Sequence, residues 1–384
     1  MGNIRSGALM RHLLPLLAVL AISCEQTLQN NDEPVGEPQF SKSDVARILS
    51  ELPLRHEHLA EVYDAVSSSS GGGYDEEYMM SDLFTSPGSG VGGSGAAKSS
   101  GYANPIRNLF FDYFNGTKAG GPDAAACVRA LTGSDMQIYW PYSEAWDGSS
   151  YPIITFDPGY GAESNVGYEM RYDEGGMHLA DSVLVTEEVA RSRPVWVINS
   201  NVDAEFTPFL DAPAVRSSSQ AETGGEEDSH VLKLKTFKML RNYDSWFCGA
   251  SEFLIQCGSV DGFKAASESD LKLYRPSVTE FMLVVKRSQC GRAIPVNGLM
   301  ISELTPQMEN MAFLVTEDDG GTTTSWKCSA TVKYESKSYG FDISLPYNDK
   351  DDIVWRGQLA ASYFKGKKMV MGRFGDVEIT FALE

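Results

Sequence analysis

Histidine is scarce in this 384-residue chain, with five copies, and cysteine nearly as scarce, with six. No two cysteines form a C-x-x-C pair and no histidine belongs to an H-E-x-x-H motif, which removes the common zinc cages and zinc-protease centres. Serine and cysteine stand in no recognisable nucleophile elbow, so acyl-transfer chemistry has no foothold. Basic residues are also few: 32 Lys and Arg against 52 Asp and Glu leave a formal charge of -20. That field repels the phosphates of nucleic acids and of anionic lipid headgroups, which excludes nucleic acid as a partner and favours divalent cations. Long apolar runs are missing as well. The most apolar stretch, Leu13 to Ser23, carries Pro15 and falls short of the roughly 20 residues that a membrane-spanning helix needs.

What is present at the amino end is an address. Arg5 and Arg11 precede the apolar run, and a small residue, Ser23, closes it before Cys24, the layout of a secretory signal. Residues 1–23 are therefore expected to be a signal peptide, with the mature chain beginning at Cys24. Cleavage would remove two arginines and no acids, taking the charge to -22. Ala21-Ile22-Ser23-Cys24 resembles the lipobox of bacterial lipoproteins. The resemblance implies lipidation of Cys24, and two or more acyl chains give stable anchoring. Together with a β-rich remainder, it makes the chain similar to the cell-envelope lipoproteins abundant in Bacteroidetes. That likeness implies an outer-membrane lipoprotein facing the periplasm or the cell surface, and Glu25 after the lipidated position leans towards the surface.

Behind the anchor the composition shifts in steps. Residues 24–40 are polar and without apolar periodicity, a tether. Residues 41–100 form a helical and Gly/Ser-rich leader: Val45, Ile48, Leu49 and Leu52 share one helical stripe, Ser41 or Ser43 can cap it, and Pro53 stops it. A second helix is predicted over roughly His56 to Val66, with His56 and His58 on different faces and in solvent. Ser67 to Gly73 and Gly88 to Ser100 read as loop and linker. Gly88-Ser89-Gly90-Val91-Gly92-Gly93 matches G-x-G-x-x-G, yet no strand feeds it and no βαβ unit follows. Residues 101–215 form a β-rich middle domain with two short helices, Pro105 to Phe114 and Pro122 to Leu131. Short apolar strands follow at Met136 to Trp140, Ile153 to Phe156, Val183 to Val185 and Val195 to Ile198. After a polar break, residues 230–384 give eight or nine strands at the spacing of an antiparallel β-sandwich. The predicted class is mainly β, α+β overall, with parallel α/β architecture disfavoured. Cys248 and Cys257 could face one another across neighbouring strands as a disulfide, or remain buried thiols.

Two constellations could carry chemistry. Glu317-Asp318-Asp319-Gly320-Gly321 and Asn348-Asp349-Lys350-Asp351-Asp352 are acidic loops of the last domain. Hard cations take six to eight oxygens, so Glu317, Asp318, Asp319, Asp349, Asp351 and Asp352 are candidate calcium ligands, or else solvated turns. Their layout resembles C2-type calcium-binding sandwiches in outline, with Lys350 departing from the family pattern. The second is Trp140, Tyr142, Trp146 and Asp147, where aromatics beside a carboxylate could grip a sugar ring or cement β-layers. For a carboxylate-dependent glycan hydrolase, Asp157, Glu163, Glu169, Glu187 and Glu188 are available. The expected function is non-catalytic binding of a ligand or envelope partner at the outer membrane. The alternatives are that hydrolase and a purely structural envelope component.

Overall fold

The computed structural model describes residues 38–85, 102–116, 123–172, 176–201, 208–209 and 229–384, with the backbone alone at 173 and 176–180. The expected signal segment, Cys24 and the Gly-rich stretch 88–100 lie outside the described residues. Helix α1 (Lys42–Glu51) starts at a capping box, in which the Ser41 hydroxyl accepts from the Asp44 amide and the Asp44 carboxylate accepts from the Ser41 amide at 3.0 Å. Helix α2 (His56–Gly71) runs a turn further than the sequence predicts, because Ser67 to Ser70 stay helical and Ser69 is buried. His58 corrects the solvent-facing expectation: it is fully buried, and its Nδ1 accepts from the Arg55 amide at 2.8 Å. At the third position of a helix, a side chain that folds back onto the cap amide is drawn under the first turn.

After strand β1 (Glu77–Met79) come α3 (Met80–Phe84), α4 (Ile106–Gly116) and α5 (Ala124–Thr132). Then follow β2 (Met136–Tyr139), β3 (Ile153–Phe156), β4 (Ser164–Asp173), β5 (Gly176–Thr186), α6 (Glu187–Ser192) and β6 (Val195–Ser200). The six strands form one sheet in the order β1-β2-β6-β3-β4-β5, antiparallel except for a parallel β3–β6 pair. The sheet is thus mixed, one step towards the α/β architecture that the strand spacing disfavours. Its strands β2, β3 and β6 are buried along nearly their whole length, polar Gln137, Thr155 and Asn199 included, because both faces are covered. Ile138, Ile154, Trp196 and Ile198 pack under the helices. Tyr139, Ile153, Val195 and Val197 meet Trp246 and Phe247 from the second half of the chain.

That second half is a β-sandwich. A four-stranded sheet orders β10 (Ile294–Leu304), β7 (His230–Met239), β16 (Val377–Leu383) and β15 (Met369–Phe374). The facing sheet orders β13 (Lys337–Asn348), β12 (Thr323–Tyr334), β11 (Met308–Glu317), β8 (Ser251–Ser259) and β9 (Ser277–Val285). Leu234, Phe237 and Phe381 from the first sheet interlock with Phe253, Ile255 and Phe313 from the second. Strand β12 leaves β11 after Asn310, and β14 (Asp352–Ala360) takes its place beside residues 310–317. The end of β11 is therefore flanked on both sides, by β8 and by β14. Residues 37–384 make one compact unit.

Candidate cation site at the junction of the layers

Strand β11 ends on a carboxylate in an apolar setting. Every residue from Met311 to Glu317 is buried, and Glu317 itself is 1 % exposed. Its partners in register are Phe253 on β8 and Asp352 on β14, so the backbone on both sides fixes where its side chain emerges. Glu252 lies one residue into β8, and its carbonyl accepts from the Asp318 amide at 2.8 Å. Asp244 comes from the loop between β7 and β8, which Arg287 holds by donating to the Asp244 carbonyl at 2.9 Å. One carboxylate oxygen from each of Asp244, Glu252 and Glu317 lies within 4.8 Å of the others.

The electrostatics of this trio are adverse without a counter-charge. Burial, then the Asp244 carboxyl, pushes Glu317 up to about 11, and burial raises Asp244 as well. Asp319 is pushed up to about 6 by burial and by Asp244, Asp352 and Asp318. Neither oxygen of Glu317 accepts a hydrogen bond from any described residue. Native interiors rarely leave such groups unpartnered, since each costs about 1–3 kcal/mol and more when charged.

In front of the trio is a cavity of about 180 Å³ between the mixed sheet and the sandwich. Asp75 and Glu77 wall it from one side, and Asp244, Glu252, Asp318 and Asp319 from the other. Among the described residues no lysine or arginine lines it. Asp75 is buried, and its Oδ2 accepts from the Ala250 amide at 3.0 Å, clasping the two layers together, while burial raises its carboxyl. Glu77 is pushed up to about 8 by burial and by Asp75, and accepts from Asn201 at 2.6 Å.

The two acidic loops read from the sequence do meet, but most of their carboxylates are engaged by their own turns. Asp318 accepts from the Gly320 amide at 2.9 Å and from Asn348 at 3.2 Å. Asp349 accepts from the Thr322 amide at 2.8 Å, and Asp351 from the amides of Asn348 and Asp319 at 2.8 and 3.3 Å. Gly321, at φ +108°, leaves only enough room for a hydrogen, since a Cβ would stand 2.4 Å from the Asp349 carboxylate. Asp352 is exposed beside Arg241 at 3.8 Å. Of the six candidates, Glu317 is the buried member of the trio and Asp318 and Asp319 line the cavity, while Asp349 and Asp351 serve as turn acceptors. Asp244 and Glu252 were not legible: the one signal was a glutamate closing an otherwise apolar strand, and its partners lie 65 and 73 residues upstream.

The aromatic constellation is part core and part cavity wall: Tyr142 and Trp146 are half-buried, Asp147 is exposed, and all four residues line a cavity of about 110 Å³. Trp140 is 1 % exposed and packs edge-on against Trp146 and Trp196, with ring centroids 5.3 and 5.8 Å away, so it offers no face to a sugar. The Trp146 indole donates to the Ser150 carbonyl at 2.9 Å, and Tyr142 donates to Glu187 at 2.7 Å. Asp147 accepts from the Ser150 hydroxyl at 2.6 Å and from the amides of Ser150 and Ser149, which together hold its carboxyl well below the usual range. The hydrolase candidates are engaged too. Asp157 pairs with Lys42 at 2.5 Å, Glu169 with Arg193 at 2.8 Å and Glu187 with Arg287 at 3.0 Å, while Glu163 and Glu188 are exposed. Cys248 and Cys257 are free thiols rather than a bridge; Cys257 is buried, which pushes it up to about 12. No helix among the described residues is long and apolar enough to cross a membrane. The chain matches no protein-family profile, no curated protein and no solved structure.

Proposed function

We propose that the chain is a lipid-anchored protein of the bacterial cell envelope whose body binds a small cationic ligand, without catalysis, in the pocket between its mixed sheet and its sandwich. The address rests on Ala21-Ile22-Ser23-Cys24 behind a short apolar run. The observation that carries the binding reading is the pocket wall of six carboxylates with no basic side chain among the described residues, backed by a buried glutamate without a hydrogen-bond donor. At about 180 Å³ the space suits an ion with a few waters, each taking about 30 Å³, or a slim ammonium group. No described nucleophile stands beside a histidine base, and the acids proposed for glycan hydrolysis are in ion pairs or in solvent.

Both halves are testable. Cys24→Ala is expected to move the protein from the membrane to the soluble fraction in detergent-free extraction; retention with the envelope refutes the anchor. A ligand selective for the native state raises its apparent stability. Calcium or a diamine such as putrescine is therefore expected to raise the unfolding temperature, and neutral glycans to leave it unchanged. A glycan response with none to cations would replace this reading with a carbohydrate-binding one.

A further inference from the structure

We infer that Asp244, Glu252 and Glu317 are the protein ligands of a calcium ion at the floor of this pocket. The inference deepens the cation-binding reading and rests on it.

Three features point to a metal rather than an organic cation at this end of the cavity. The donors are all carboxylate oxygens, one from each residue and all within 4.8 Å of one another, which is the span of two oxygens on opposite sides of an ion at 2.3–2.6 Å. Glu317 is 1 % exposed and both its oxygens lack a donor, so the group aimed at the trio is waiting for positive charge from within the cluster. Finally, Asp244 and Glu252 open onto the cavity while Glu317 stands behind them. An ion there would meet protein on one side and water on the other. Calcium fits better than magnesium: three carboxylates, binding through one or two oxygens each, plus pocket water reach six to eight donors in irregular geometry, whereas magnesium demands a near-ideal octahedron.

The site would also do structural work. Glu252 belongs to β8, Glu317 to β11, and Asp244 to the loop that carries Trp246 and Phe247 into the mixed sheet. An ion gripping all three fixes that loop, and with it the contact between layers.

The test is calorimetric titration of the chelator-treated full chain with calcium, magnesium and putrescine in parallel, with thermal unfolding as a second readout. We expect one calcium per chain, weaker magnesium binding, and a rise in unfolding temperature. Glu317→Gln, Asp244→Asn and Glu252→Gln should each weaken calcium by more than the 10–100-fold typical of a change outside the coordination shell. Asp349→Asn, in the turn, should leave calcium binding within about threefold of wild type. Glu317→Gln should fold at least as stably as the chelated parent, since the amide relieves the repulsion, so its loss of calcium would not be loss of fold. Calcium binding that survives Glu317→Gln, or that disappears in Asp349→Asn alone, overturns the assignment. Putrescine binding without calcium binding overturns it while leaving the pocket a cation receptor, and binding of neither overturns both readings.

Discussion

Single residues in this protein change meaning with their neighbours. Trp140 sits in a sequence of aromatics and acids that fits a sugar platform, yet its indole is enclosed by Tyr63, Trp146 and Trp196. Trp140→Ala is expected to cost about 3–5 kcal/mol in urea unfolding and to change no ligand response, because the loss is one of packing. His58 is similar: alternation put it in solvent, and the helix start buried it. Burial holds its imidazole below the ordinary value of 6.5, so it should stay neutral in NMR titrations down through that pH while exposed histidines protonate. The thiols are legible only in part. With Cys24 set aside for lipidation, five cysteines remain, an odd number that leaves at least one thiol unpaired within the chain, but that Cys248 and Cys257 are both free follows from their placement, one in a loop and one inside β8. Reductant should therefore leave the thermal midpoint unchanged.

At the scale of elements, periodicity carried the strands well. Runs at Ile153 to Phe156 and Val195 to Ile198 were recognisable because apolar residues bounded by turns have few other fates, and nearly every sandwich strand falls where alternation places it. The short β1, the inner strand β4 and the hairpin strand β15 gave no such signal. Pairing was less accessible: that β14 replaces β12 beside β11 is a matter of sheet curvature, not of local pattern. The loop from β7 to β8 shows how elements are tied. Gly249, at φ +127°, brings its backbone so close to Asp75 that a Cβ would stand 2.6 Å from the carboxylate. Gly249→Ala is expected to destabilise by about 1–3 kcal/mol through strain and through loss of the Asp75 to Ala250 clasp. If the clasp is what suffers, hydrogen exchange should quicken at Ala250 and β1 more than at β16.

For the whole molecule, the excess of acid has a stability consequence of definite sign. Glu76 and Glu77 are each pushed by burial up to about 8, and Glu61 up to about 6, from an ordinary 4.5. A carboxyl raised on folding contributes stability that is full below about 4.5 and is lost as pH rises through its folded value. Between pH 5.5 and 8.5 the urea midpoint is thus expected to fall, with His58 opposing weakly, and Glu77→Gln should flatten the slope. A midpoint that climbs over this range would mean that these carboxyls are ionised in the folded state.

By itself the sequence determined the class of fold, and from it come two expectations, an export and lipidation address and a preference for positive charge in a ligand. These depend on composition, on periods of 2 and 3.6, and on short contiguous motifs, all of which are local. Tertiary structure decided which acids matter. Whether a carboxylate in a turn binds its own backbone or faces a cavity depends on what stands opposite, and Glu317 meets Asp244 and Glu252 only because β11 is hydrogen-bonded beside β8. Burial made the difference between an acid in solvent and one that calls for a cation, and burial is a property of the packed chain rather than of any residue in it.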